Sequence, residues 1–108
     1  MMKHCLLFSA IIACLLAPAA LADGPISLGE LLWRCQDPNW CQIYTFNEAS
    51  QLQRQEKACF ADTSPIDVYR EVLTLLRQEA TDHPERGSND GASELDAAIL
   101  KLHPCPGR

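Results

Sequence analysis

Basic residues are scarce in this sequence. Lysine and arginine number 9 against 14 aspartates and glutamates in 108 residues, a formal net charge of −5. A nucleic-acid binder needs a basic stripe, and the balance argues against that class. The sequence also lacks a glycine-rich phosphate loop, a paired catalytic motif, an internal repeat and any sustained strand alternation. Nucleotide chemistry and a β architecture therefore have no support, and an enzyme has the least support of any class. The length allows one domain and no second. With 47% hydrophobic and 21% charged residues, the composition is not that of a disordered chain.

No apolar run is long enough to span a bilayer: the stretch from Cys5 to Ala17 is about 13 residues, against the ~20 required. What this stretch does resemble is an export signal. A short basic start, an apolar run and the small-x-small ending Ala20-Leu21-Ala22 predict a secretory signal peptide over residues 1–22. The mature domain is then residues 23–108, periplasmic and not held in a membrane. Ile11-Ile12-Ala13-Cys14 also looks like a lipoprotein processing site, but an apolar stretch follows it where a mature lipoprotein turns polar. Loss of Lys3 with the signal makes the mature chain one charge more negative.

Of six cysteines, Cys5 and Cys14 fall in the signal, leaving Cys35, Cys41, Cys59 and Cys105. An even number in an exported domain suggests two disulfides, and a small core is commonly stapled this way. Four cysteines allow three pairings. A zinc site is the rival, but there is no Cys-x-x-Cys pair and no close histidine. A catalytic thiol with His83 or His103 as base would leave an odd sulfur. No metal and no cofactor is expected.

Local signals divide the mature chain into four helices. Ser27-Leu28-Gly29-Glu30 is a capping box that opens a short helix with Leu28, Leu31, Leu32 and Cys35 inward. Asp37-Pro38 opens the second, where Trp40, Cys41, Tyr44, Ala49 and Leu52 form a stripe and Asn47 to Lys57 is only weakly amphipathic. Ser64-Pro65 opens the third, with Ile66, Tyr69, Val72, Leu73, Leu76 and Ala80 on one face. Pro84 stops it and pushes His83 out of helical geometry. The fourth runs from about Ala92 to Leu102, with Ala92, Leu95, Ile99 and Leu102 inward, and Pro104 ends it. The expected fold is therefore all-α, a small four-helix domain stapled by two disulfides. Helix order favours one pairing. A short turn brings Cys35 to Cys41, and an antiparallel hairpin of the last two helices brings Cys59 to Cys105.

The polar, glycine-bearing stretch His83 to Gly91 reads as an exposed loop between the two best helices. On that reading its backbone groups are free to meet a partner, and it can be altered without touching the core.

These residues form a frame: Leu31-Leu32-x-x-Cys35, Cys41-x-x-Tyr44, Cys59-Phe60, a helix, His83-Pro84-Glu85, an Ala- and Leu-rich helix, and His103-Pro104-Cys105. The frame resembles the Tai/Rap family of type VI secretion amidase immunity proteins, over residues 28–105. Thr45-Phe46-Asn47-Glu48-Ala49 stands where family members usually carry an aliphatic, glycine-containing stretch, which bears on the cognate effector more than on the fold. The resemblance implies a small, exported helical protein whose partner is a peptidoglycan amidase effector. It also implies that the loop region enters the amidase cleft, and carries effector binding over to His83, Glu85, Arg86, Ser88, Asn89 and Asp90. Arg86 leads as the expected hot spot, since arginine is enriched there. Family members often dimerise, and exposed faces of the last helices would serve a homodimer. The competing class is a periplasmic stress or structural interaction protein with no amidase partner.

Overall fold

The computed structural model describes residues 24–107. The expected signal peptide lies outside the described residues. Within them the chain forms four α-helices: α1 (Leu28–Arg34), α2 (Pro38–Arg54), α3 (Pro65–Asp82) and α4 (Gly91–Leu102). A 3-10 helix, Pro84–Ser88, joins α3 to α4. Among the described residues there is no strand, only two isolated antiparallel bridges, Ser27 with Asp90 and Ala58 with Pro104.

Each helix starts on the side chain the sequence offers. Ser27 accepts from the Glu30 N–H at 3.1 Å, Asp37 from Asn39 at 3.1 Å, Ser64 from Asp67 at 3.3 Å and Asp90 from Ser93 at 3.0 Å. Such caps satisfy donors that the first helical turn leaves open. The capping box at Ser27 is half made. Glu30 does not reach back but pairs with Arg34 at 2.9 Å, one turn further along α1. The polar half of α2 is helical to Arg54, where Glu56 takes a positive φ of 59°. Lys57 N–H then bonds to Leu52 C=O and Glu56 N–H to Gln53 C=O, both at 2.9 Å, which closes the helix end.

The core forms around α4, which touches all three other helices. Leu28, Leu31, Leu76, Leu95 and Ile99 are almost wholly buried. Each such side chain stabilises the fold by roughly 1.5–3 kcal/mol. The inner face of α2 is narrow, with Cys41, Thr45, Ala49 and Leu52 buried. Trp40 and Tyr44 flank it half-buried, stacked at 5.0 Å between ring centres, with the Arg34 guanidinium 5.5 Å above Trp40.

Two residues assigned to the inner faces are instead outside. Ile66 lies in the first turn of α3 and Leu102 in the last turn of α4, and both are exposed. At these two turns the side chains stay in solvent although they continue the apolar stripe. Val68 and Ala98, which the stripes omitted, are buried in their place.

The disulfides join Cys35 to Cys41 and Cys59 to Cys105, as helix order indicated. The second pair closes the α3–α4 hairpin at its open end. Beside it, Cys59 N–H donates to His103 C=O at 3.0 Å and Cys105 N–H to Lys57 C=O at 3.3 Å. Two disulfides point to an oxidising, extracellular-type compartment. No helix among the described residues is long and apolar enough to cross a membrane.

Candidate functional site

The stretch His83 to Gly91 is mostly exposed, yet it is ordered by bonds at both ends and in the middle. His83 ends α3 with φ −131° and ψ 72°, so the chain leaves helical geometry one residue before Pro84. Its Nδ1 lies 3.6 Å from the Glu85 carboxylate. The 3-10 turn follows, with Arg86 N–H donating to His83 C=O and Asn89 N–H to Arg86 C=O, both at 2.9 Å.

Arg86 is committed within the free protein. Its guanidinium reaches back to Glu79 on α3 at 2.6 Å, and Lys101 of α4 meets the other oxygen of the same carboxylate at 3.1 Å. The hydrogen bond from Lys101 leads in holding Glu79 below the usual carboxylate range, followed by the Lys101 charge and the Arg86 contacts. One acid thus ties the 3-10 turn to two helices.

The far end is held by residues 26–28. Leu28 N–H donates to Asn89 C=O at 2.9 Å, and Gly91 N–H to Ile26 C=O at 2.7 Å. The Asn89 amide donates to Glu94 at 2.8 Å, and Asp90 accepts from both the N–H and the hydroxyl of Ser93. Gly91 is buried under this crossing. A Cβ there would sit 2.9 Å from Ile26 O, closer than real Cβ atoms come, and 3.0 Å from Ser27 O.

The expectation of a loop with free backbone groups, alterable without touching the core, is therefore corrected. The polar composition is right for exposure, but the partners that tie the stretch down come from the start of α1, far away in sequence. The six candidate residues separate into two sets. His83, Glu85 and Ser88 are exposed and leave polar groups toward solvent. Arg86, Asn89 and Asp90 use their side chains to hold the segment in place. Sequence reading missed Glu79, Glu94 and Lys101, the residues that position it. An ion pair between Glu79 and Lys101 spans two helices and carries no local signal.

The other histidine is elsewhere. His103 Nε2 meets Glu71 at 3.0 Å and its ring lies 5.1 Å from Phe60. The two disulfides leave none of the four described cysteines as a thiol. No group of three or more His, Cys, Asp or Glu side chains among the described residues is placed to hold a metal ion. A groove of about 560 Å³ between α2 and α3, lined by Phe46, Ala49, Phe60 and Val68 among others, has no titratable lining residue.

A second acidic centre lies between α2 and α4. Glu48 is pushed up to about 7 by burial first, then by its hydrogen bond to Asp96 and by the charges of Asp96 and Asp90. Burial, with Glu48, Asp90 and Asp96 adding to it, also raises Tyr44.

The segment thus holds exposed polar side chains on a helical frame cross-linked by two disulfides. Compared with known proteins, the chain matches no family model, no curated protein and no solved structure.

Proposed function

We propose that this is an exported immunity protein that binds a peptidoglycan amidase effector of a type VI secretion system and occludes its cleft with residues 83–90. The observation that carries this reading is the state of that segment, exposed and polar yet already fixed through Glu79, Glu94 and the start of α1. An inhibitor that is ordered before it meets its enzyme has less conformational freedom to lose on binding. The frame resemblance over residues 28–105 supports the class of partner. The acidic balance would speed encounter with a basic cleft. The outward-facing His83, Glu85 and Ser88 are the residues to touch the enzyme, with Arg86, Asn89 and Asp90 holding them in register.

The test pairs the purified protein with peptidoglycan amidases encoded beside type VI secretion loci. A cognate amidase is expected to bind and to lose peptidoglycan hydrolysis. The triple variant His83→Ala, Glu85→Ala, Ser88→Ala is expected to weaken binding by at least roughly tenfold, ~1.4 kcal/mol, with an unchanged melting temperature. Equal binding by that variant moves the surface to the outer faces of the helices. Failure to inhibit any such amidase favours a stress or structural partner instead.

A further inference from the structure

The seam between α2 and α4 carries two acids and no cation that acts on them. Glu48 on α2 and Asp96 on α4 are both half-buried, and their carboxyls lie within hydrogen-bonding reach of each other. Two ionised carboxylates have no hydrogen to put between them, so a bond across this contact requires a proton. Asp96 Oδ1 is buried and has no hydrogen-bond partner among the described residues. A buried acceptor of that kind is costly unless something donates to it.

Among the described residues no other group hydrogen-bonds either carboxyl. From α4 and its cap, Glu48 meets Asp96 and Asp90, both acidic. Its own helix contributes Tyr44, one turn back. Arg34 of α1 acts on Tyr44 and stacks over Trp40. From α3, the other neighbour of α2, Tyr69 faces Phe46 edge to face at 6.3 Å.

We propose that Glu48 and Asp96 share a single proton across this seam, and that the proton is a pH-sensitive latch between α2 and α4. The exchange is simple: the proton comes from water, forms one O–H bond on the pair and returns to water when the pair opens. With the proton present, the buried oxygen of Asp96 is satisfied and the pair carries one negative charge. When it leaves, two charges face each other in a poorly hydrated seam, with Asp90 adding a third nearby, and the helices are pushed apart. The sign follows from linkage. Between the ordinary carboxylate range and neutrality the folded protein holds a proton that the unfolded chain has released. The stabilisation is thus complete below the ordinary carboxylate range, declines as pH rises across that window and is gone above about 7. The latch belongs to the fold and does not depend on which partner the protein binds.

Two measurements on the purified protein, with both disulfides formed, test it. In melts from pH 5 to 8.5, the wild type is expected to lose about 4–8 °C between pH 5 and 7 and little more above, the scale of a roughly fivefold change in folding equilibrium for a domain this size. Glu48→Gln, whose amide donates to Asp96 at every pH, is expected to flatten that fall. Asp96→Asn is expected to flatten it by the reverse arrangement. Carboxyl carbon NMR of the wild type gives a direct reading, and Glu48 is expected to titrate near neutrality. A Glu48 midpoint in the ordinary carboxylate range overturns the proposal. So does a Glu48→Gln variant with the wild-type slope. Should either variant fail to fold, the wild-type titration still decides.

Discussion

Glu79 and Glu48 lie on opposite flanks of α4, one on its seam with α3 and the other on its seam with α2. Glu79 is clasped by Lys101 at 3.1 Å and Arg86 at 2.6 Å, and these keep it ionised. Glu48 has burial and two aspartates for company, and these favour its neutral form. The residue type is the same. What differs is the partner across the helix gap, and with it the direction in which pH acts. One central helix therefore has a flank held by opposite charges and a flank held by a shared proton. The 83–91 segment bridges them, since Arg86 reports to the first and Asp90 to the second.

The heaviest blow to this comparison is covalent. Replacing Cys59 and Cys105 together by serine opens a loop of 46 residues, worth about 4 kcal/mol in the chain-entropy picture, against about 2 for the 6-residue Cys35–Cys41 loop. Urea unfolding should show the larger loss for the Cys59–Cys105 double variant. An equal loss would mean that the α3–α4 hairpin is closed by other contacts. Next comes Gly91→Ala, which forces a methyl against the Ile26 and Ser27 carbonyls. Overpacking of this kind costs about 1–3 kcal/mol, and hydrogen exchange at Leu28 and Gly91 should accelerate together.

Asp90→Ala is the sharper probe, because Asp90 caps α4 and also repels Glu48. Loss of a cap costs about 1 kcal/mol. That penalty should be evident at pH 5.5 and shrink at pH 8, where removing a negative charge relieves the α2 flank. A penalty independent of pH would separate Asp90 from the acidic centre. The smallest effect is expected from Glu79→Gln. Its folded-state affinity for protons is lowered, so the stability it adds is present above the ordinary carboxylate range and lost as pH falls below it. The variant should therefore lose part of the wild type's acid sensitivity, the reverse of the Glu48→Gln outcome, and its 84–88 amides should exchange faster while the core stays protected.

Local chemistry made much of the fold legible. Ser27, Asp37 and Ser64 announced three helix starts, and two prolines stopped two helices, because caps and breakers act within a few residues. The disulfide pairing followed from helix order alone. Ile66 and Leu102 misled because periodicity marks a face but not how much of that face is buried. The His83–Gly91 segment was located correctly by its composition and given the wrong freedom. Its bonds to Ile26 and Leu28, like the meeting of Glu48 with Asp96, are made by folding and leave no pattern in neighbouring residues.

The crossing of residues 26–28 with residues 89–91 also joins distant parts of the chain. The chain is made from its N-terminus, so Ile26 and Leu28 are synthesised well before the residues they bond. Their partners arrive only with the start of α4, and such long-range closure is a slow step in folding. The segment proposed to meet an amidase is therefore complete only when both parts of the chain are in place. A nascent or nicked chain that lacks either end would display the right residues without the shape that makes them bind.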